Sequence, residues 1–233
     1  MNKIRDDHTK NLLIVFVKNL VSGHVKSRLA LTTGYDNALE IYADLMRKIH
    51  AVSVELPCNK QVAYSSEIEK NDIWETEKFN KTIQQGNNLG ERMFNAFKNA
   101  FKDGYEKIVL IGSDIINLKS DIIFDAFAQM NQSDMVLGPA KDGGYYLIGL
   151  KSPLKQLFEN KAWSTNKVFI QTLKQSVDLD LSIGLTSELS DLDRIEDFQY
   201  LDMEDWKKYS NIIEKDASKM THPYLFRFVK KGA

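Results

Sequence analysis

The stretch KIVLIGSD, residues 107–114, has the pattern of a buried β-strand that ends on a glycine, a serine and an aspartate. Its four consecutive apolar residues, 108–111, are typical of a strand that is covered on both faces. The carboxylate of Asp114 then falls where buried chain meets solvent. Taken alone, Asp114 either caps the following turn or serves as a hard oxygen ligand that holds Mg²⁺ or Mn²⁺ against substrate phosphates.

Strand-like and helix-like segments alternate along the chain. Further strands are predicted at 12–18, 60–66, 134–140 and 145–150, with a short one near 183–189. Apolar residues at helical spacing predict helices at 35–52, 89–104, 120–130 and 167–177. Asp36 is the expected N-cap of the first helix. The alternation predicts an α/β fold with a mostly parallel, mixed sheet, in which ligands bind beyond the carboxyl ends of the strands.

Composition narrows the class of protein. The 233 residues carry a net charge of −1, so charge gives no attraction to nucleic acid or to an anionic membrane. No apolar run approaches the roughly 20 residues of a membrane helix, and the N-terminus lacks a secretory signal, so we expect a cytoplasmic protein. The single cysteine, Cys58, excludes internal disulfides. We expect one domain over 1–233, with its core at about 12–200 and a helical or polar tail at about 201–233, including an apolar patch at 224–228.

A basic loop follows the first predicted strand. The segment KNLVSGHVKSRLA places Lys18, Gly23, Lys26 and Arg28 within eleven residues. Such a loop suits a phosphate, because backbone N–H groups and fixed positive charge both stabilise an anion. The same residues would also make an ordinary solvated loop. Their spacing matches neither a P-loop nor a dinucleotide-binding fingerprint.

Two segments could supply an acidic partner for Asp114. Asp142 begins the sequence DGG, which either lets backbone approach a ligand or forms the turn of a β-hairpin. Asp191 and Asp193 would share one face of an extended segment. Asp193 could instead be an N-cap with Glu196 at the third helical position, which leaves Asp191 freer to bind a metal.

Other candidate ligand groups stand alone in the sequence. Arg92, at a predicted helix start, could contact a ligand or form a surface salt bridge. Trp163 could stack on a base or sugar, or be part of the core. The four histidines are scattered, so a zinc site is not expected.

The order of these segments resembles a bacterial family of GT-A-like proteins assigned as glycosyltransferases. This family is labelled radical-SAM/selenodomain-associated, a domain of unknown function. The resemblance runs from about residue 12 to about 200 and is most specific at DGGYYLIG. It is carried by the motifs FVKNLVSGHVKSRLA, GNNLGERMFNAF, VLIGSDIINL, VLGPAKDGGYYLIGL, WST and DLDRIEDF.

The resemblance implies a three-layer, Rossmann-like GT-A fold of the nucleotide-diphospho-sugar transferase kind. By position, the nucleotide-binding residues would be Lys18, Gly23, Lys26, Arg28 and Ser113. The ligands of Mg²⁺ or Mn²⁺ would be Asp114, Asp191 and Asp193, and Asp142 would act with Asp114 in catalysis. The substrate or acceptor side would comprise Arg92, Gly143, Gly144, Tyr145 and Trp163.

The resemblance also sets the expected function. We expect a metal-dependent transferase that moves a sugar from a nucleotide-diphosphate donor to a small-molecule acceptor. PAKDGG and DLDRIED are also similar to segments of molybdopterin-type nucleotidyltransferases, so release of pyrophosphate from a nucleoside triphosphate is the alternative. The family's usual residues are replaced by Leu20, Asn88 and Ile116. The replacements at Asn88 and Ile116 keep a non-catalytic nucleotide-binding protein as a further alternative. The oligomeric state is left open.

Overall fold

The computed structural model describes residues 8–214, and the apolar patch expected at 224–228 lies outside them. The chain forms two compact units. Of the described residues, the larger unit contains 8–19 and Leu45–Asp191, and the smaller contains Leu20–Asp44 and 192–214. The single domain expected over residues 1–233 stays a prediction. No helix among residues 8–214 is both long and apolar enough to cross a membrane.

A seven-stranded mixed sheet forms the centre of the larger unit. Its strands, in the spatial order β3-β2-β1-β4-β7-β6-β8, are β1 (Asn11–Val17), β2 (Asn59–Tyr64), β3 (Asn80–Ile83), β4 (Lys107–Ile111), β6 (Met135–Pro139), β7 (Tyr145–Leu150) and β8 (Ile183–Leu185). Only β7 runs antiparallel to its neighbours, β4 and β6. The predicted α/β fold with a mostly parallel, mixed sheet is confirmed.

Strand register sets the level of the carboxyl edge of the sheet. In β1 all seven residues are buried, and six of them, 12–17, form the apolar run that predicts a strand covered on both faces. Val15 pairs with Val62 of β2 on one side and with Ile111 of β4 on the other. Residues that lie the same number of positions after Val15 and after Ile111 are therefore at the same level of the sheet.

A short antiparallel ribbon continues the chain beyond β4. It pairs β5 (Ile115–Ile116) with β9 (Ser190–Asp191), so that Ile115 faces Asp191 and Ile116 faces Ser190. Ile116 is 2% exposed. The isoleucine that departs from the family pattern is thus a buried strand residue.

The helices largely follow the apolar spacing of the sequence. They are α1 (Ser27–Thr33), α2 (Tyr35–Val54), α3 (Leu89–Lys102), α4 (Ser120–Gln129), α5 (Val168–Asp178) and α6 (Met203–Glu214), with 3₁₀ turns at His8–Lys10, Lys155–Leu157 and Ile195–Tyr200. In the larger unit, Met93 and Phe97 of α3 are buried in the core between helix and sheet. In the smaller unit, the hydroxyl of Tyr209 on α6 donates to the buried carboxylate of Asp44 at 3.0 Å.

The expected N-cap of α2 was wrong. The carbonyl of Gly34 accepts the hydrogen bond from the N–H of Ala38 at 3.1 Å, so Gly34 occupies the capping position. Asp36 lies in the first turn, where its carboxylate accepts a hydrogen bond from the hydroxyl of Ser22 at 3.2 Å. Helix α1, which precedes this cap, was not predicted because its segment has the composition of a polar loop.

Candidate functional site

The carboxyl ends of β1 and β4 bring two predicted site residues of the larger unit to the same level. Val15 pairs with Ile111, and Lys18 and Asp114 each follow that pair by three residues. The sheet therefore delivers a cation and a carboxylate to one edge of two adjacent parallel strands. This is the edge at which α/β sheets bind ligands.

The turn after β4 shapes the position of the Asp114 carboxylate. The N–H of Gly112 donates to the carbonyl of Tyr146 at 3.2 Å, and Ser113 is buried. A Cβ placed on Gly112 would lie 3.2 Å from Asp114 Oδ1, which is tighter than ordinary contact. The carboxylate is thus folded back over a glycine and remains half-exposed.

The ribbon ties a second acidic residue to this turn. Asp191 stands opposite Ile115, the residue directly after Asp114. Strand pairing thereby joins the segments of Asp114 and Asp191, which are 77 positions apart in the sequence. Within residues 8–214, no group of three or more His, Cys, Asp or Glu side chains is placed to hold a metal ion. A metal would therefore need water or substrate oxygens beside these carboxylates.

The DGG segment forms the hairpin turn between β6 and β7. Asp142 is exposed, and its Oδ1 accepts a hydrogen bond from the N–H of Gly144 at 2.8 Å. Gly143 has φ +87°, and a Cβ there would overlap the carbonyl of Asn166. Its own carbonyl accepts from the N–H of Phe169 in α5 at 2.9 Å. The close contact that Gly143 permits is therefore with the backbone of Asn166, and not with a ligand.

The segment before α5 contains Trp163, and the structure places its ring on the helix α3. A Cβ on Gly90 would come within 2.6 Å of the indole, so glycine is required at this contact. The indole is half-buried and packs against the core of the larger unit.

Tyr145 of β7 is also half-buried, and burial of its hydroxyl raises its pKa. Its phenol therefore remains protonated at neutral pH.

Lys161 is a polar residue of this segment that sequence reasoning missed. Its Nζ donates to Thr172 Oγ1 and lies 5.7 Å from the centre of the Trp163 ring. Partial burial lowers the pKa of this ammonium group to about 8. Only the closeness of Lys161 to Trp163 in the sequence could have indicated its position. Its hydrogen-bond partner, Thr172, lies further along the chain in α5.

The smaller unit holds the basic loop. Gly23 has φ +82° in a turn, where the N–H of His24 donates to the carbonyl of Val21 at 3.0 Å. Lys26 precedes α1 in a left-handed conformation with φ 49°, and its side chain is buried with Nζ 5.9 Å from the centre of the Tyr42 ring. The glycine-bearing turn was predicted, but the burial of Lys26 was not.

Arg28 and Asp193 are brought together in the smaller unit. Arg28 Nη1 lies 2.8 Å from Asp193 Oδ2. The alternative in which Asp193 is an N-cap and Glu196 stands at the third helical position was wrong, because each residue is one position too early in the sequence. Arg194 is the N-cap, and the carboxylate of Asp197, not that of Glu196, accepts from the N–H groups of Asp193 and Arg194 at 2.8 and 2.7 Å.

Arg92 lies in the first turn of α3 in the larger unit. Its Nε donates to the carbonyl of Gly86 at 3.2 Å, a backbone contact that neither interpretation of Arg92 had included. The preceding Asn88 is the N-cap, and its Oδ1 accepts from the N–H of Glu91 at 2.9 Å. The side-chain amide of Asn88 thus fills the capping role at the start of α3.

The sheet order and the acidic turn after β4 define an α/β fold of the nucleotide-diphospho-sugar transferase class. A protein of Desulfovibrio desulfuricans G20, provisionally described as a nucleotide-diphospho-sugar transferase, has a similar structure. The TM-score is 0.75 at 26% identity, over 89% of this chain and 98% of that chain. The chain belongs to the family described as uncharacterized protein conserved in bacteria (DUF2064), which matches residues 48–165.

More distant structures are similar at lower scores. The bifunctional IspDF of Campylobacter jejuni has a TM-score of 0.50 at 12% identity, over 82% of this chain and 54% of that chain. A cytidylyltransferase of Leptospira borgpetersenii serovar Hardjo-bovis has a TM-score of 0.48 at 16% identity, over 92% of this chain and 99% of that chain. No curated protein matches the chain.

Proposed function

We propose that this protein is a divalent-metal-dependent transferase that moves a sugar from a nucleotide-diphosphate donor to a small-molecule acceptor. The observation that carries the proposal is the position of Asp114. It follows the carboxyl end of β4 and is joined by the β5–β9 ribbon to the segment of Asp191. The similarity to the Desulfovibrio protein supports a nucleotide-activated sugar as the donor.

Carboxylates of the larger unit would be the protein ligands of Mg²⁺ or Mn²⁺. Such an ion commonly takes one or two protein carboxylates and completes its shell with waters and substrate phosphates. Asp114 and Asp191 would be the carboxylates, while Asp193 is engaged with Arg28. When bound, the metal would neutralise negative charge on the departing diphosphate.

Asp142 is the proposed general base. Its Oδ1 is held by the N–H of Gly144, which orients the exposed carboxylate and leaves Oδ2 to accept a proton. As the acceptor oxygen bonds to the anomeric carbon, its proton passes to Asp142. The bond from that carbon to the diphosphate oxygen breaks, and the nucleoside diphosphate leaves with the electron pair.

Each unit offers its own candidate groups for the donor phosphates. Lys18 stands level with Asp114 at the sheet edge, so it is the cation best placed in the larger unit for the phosphates. Ser113 of the same unit would add a hydroxyl. In the smaller unit, Lys26 and Arg28 are the cations proposed for a phosphate. Arg28 would exchange Asp193 for a phosphate oxygen, because an exposed ion pair is weak.

Nucleotidyl transfer is the second candidate. It is favoured by the similarity of PAKDGG and DLDRIED to segments of molybdopterin-type nucleotidyltransferases. In that reaction an acceptor oxygen would bond to the α-phosphorus, and pyrophosphate would leave. The same metal-binding carboxylates would serve both reactions, so the leaving group distinguishes them.

Thermal-shift measurements with Mn²⁺ test this function. The ligands are UDP, GDP, CTP and GTP, each with and without the metal. Stabilisation by a diphosphate but not by a triphosphate is expected for glycosyl transfer, and the reverse supports nucleotidyl transfer. If no nucleotide stabilises the protein more with Mn²⁺ than without it, both transfer functions are wrong.

A further inference from the structure

A polar groove of the larger unit lies between α3, the edge strand β3 and its neighbour β2. Its volume is about 290 Å³. Six of its thirteen lining residues are Asn or Gln: Gln61, Asn80, Gln84, Gln85, Asn95 and Asn99. Amide side chains both donate and accept hydrogen bonds, which suits a ligand with neighbouring hydroxyl groups.

Part of this lining is fixed by the protein itself. Gln84 Nε2 donates to the carbonyls of Val17 and Ala63 at 3.1 and 2.9 Å. Asn95 Nδ2 donates to the carbonyl of Gln85 at 2.9 Å. These bonds hold the two amides in one orientation before any ligand binds, which reduces the entropy lost on binding.

Other amides of the groove are unused. Among residues 8–214, the side chains of Gln61, Asn80 and Asn99 make no hydrogen bond to the protein. Gln61 and Asn80 lie towards the amino ends of β2 and β3, away from the carboxyl edge that carries Asp114. The groove therefore extends along the sheet face, beyond the proposed transfer site.

Arg92 supplies a fixed positive charge in the groove. Its Nε is anchored on the carbonyl of Gly86, and it is half-buried without an ion pair to any carboxylate of residues 8–214. Gly86, with φ +140°, packs so closely that a Cβ would lie 2.8 Å from the backbone nitrogen of Arg92. The guanidinium Nη groups are thus positioned and available for a bidentate anion.

We propose that this groove binds a sugar that carries one anionic group, a phosphate or a carboxylate. The anion contacts Arg92, and the sugar hydroxyls contact the free amides of Gln61, Asn80 and Asn99. The proposal is independent of the transfer reaction, because binding here requires neither metal nor nucleotide.

The test is binding measured by calorimetry and by the side-chain amide signals in ¹H–¹⁵N NMR spectra. The probes are the 6-phosphates of glucose, galactose and mannose, then glucuronate and galacturonate, the parent sugars and inorganic phosphate. At least one anionic sugar is expected to shift the groove amides and to bind more tightly than its parent sugar and than inorganic phosphate. Selective binding of the phosphates identifies a phosphate as the anion, and selective binding of the uronates identifies a carboxylate.

Amino-acid substitutions test whether the anionic sugar binds in this groove. Arg92→Gln is expected to weaken it by at least about tenfold, because a charge-assisted hydrogen bond is lost. Lys98→Gln, which removes a charge from the exposed side of the same helix, is expected to change it by less than about twofold. Asn99→Ala, which favours the helix, is expected to weaken binding about threefold to tenfold.

Three results overturn the proposal. The first is that none of the anionic sugars shifts the groove amides. The second is that inorganic phosphate binds as tightly as every sugar phosphate and no uronate binds. The third is that Arg92→Gln and Asn99→Ala both bind like the unmodified protein.

Discussion

The Arg28 guanidinium and the Asp193 carboxylate form an ion pair with 2.8 Å between Nη1 and Oδ2, across 165 residues of sequence. The sequence had predicted them for two separate roles, with Arg28 on the donor phosphates and Asp193 on the metal. Their side chains are 52% and 33% exposed. An exposed pair of this kind contributes at most about 1 kcal/mol to stability, so it can open when an anion competes.

Asp193→Asn is expected to strengthen binding of a nucleoside diphosphate in the absence of metal by about twofold to fivefold. The reason is that the Arg28 guanidinium would no longer be neutralised, whereas the unfolding free energy would change by less than about 1 kcal/mol. Calorimetric titration measures the affinity, with Arg28→Gln as the variant that removes the cation. Weaker binding by Asp193→Asn without metal would show that Asp193 does not compete with the ligand.

Lys161 is expected to make stability depend on pH in the alkaline range. Burial lowers its folded-state pKa to about 8, from an ordinary value of 10.5. Between these values the unfolded chain binds more protons than the folded one, so the unfolding free energy rises with pH. Relative to Lys161→Met, the unmodified protein should therefore gain stability from pH 8 to pH 10.

Urea unfolding at several pH values measures this difference. Lys98→Met is the control, since it removes an exposed lysine outside the Trp163 segment. The free-energy difference between the unmodified protein and Lys161→Met should change with pH, and that for Lys98→Met should stay flat. Equal slopes for the two variants would contradict the burial of the Lys161 ammonium group.

Gly143→Ala is expected to lower the unfolding free energy by about 3 kcal/mol or more. Positive φ alone costs a residue with a Cβ about 1–2 kcal/mol, and overlap with the Asn166 carbonyl adds to that. Gly104→Ala is the matched control, because Gly104 has φ +94° but open space around its Cβ position. Urea unfolding should place Gly104→Ala at about 1–2 kcal/mol, and equal losses for both would show that the hairpin moves away from Asn166.

Asn88→Asp is expected to leave α3 intact and to change the unfolding free energy by less than about 1 kcal/mol. Asp caps a helix as well as Asn does, and its charge interacts favourably with the helix N-terminus by about 0.3–1 kcal/mol. This gain is offset because Asn88 Nδ2 donates to the carboxylate of Glu91 at 2.9 Å, and an aspartate would instead repel that carboxylate. Asn88→Ala should cost about 1 kcal/mol, because the N–H of Glu91 loses its acceptor. Thermal unfolding at low ionic strength measures both, and a large loss in Asn88→Asp would assign the amide a role beyond capping.

Much of the fold could be predicted because burial leaves a local pattern. The apolar runs of β1 and β4 and the helical spacing of α3 identify elements without knowledge of their neighbours. β3 was missed, since its residues are exposed or half-buried and carry no such pattern. The ribbon of β5 and β9 was missed as well, because each strand has two residues and exists only through its partner.

The sequence allowed several site residues to be identified, but it gave little information on which residues contact each other. Asp114 was expected from the apolar strand that ends beside it, and the DGG hairpin was one of two open interpretations. The Arg28–Asp193 pair joins residues far apart in sequence, so no local spacing could indicate it. The contact of Gly143 with Asn166 and that of Gly90 with Trp163 likewise depend on how the segment before α5 folds back.

The measurement that tests the central claim most directly is calorimetric titration of a nucleoside diphosphate with and without Mn²⁺. It compares the unmodified protein with Asp114→Asn and with Asp178→Asn, an exposed carboxylate at the end of α5. We expect Mn²⁺ to strengthen binding in the unmodified protein and in Asp178→Asn, and to have no effect in Asp114→Asn. Equal strengthening by Mn²⁺ in Asp114→Asn would contradict the assignment of Asp114 as the metal-binding carboxylate.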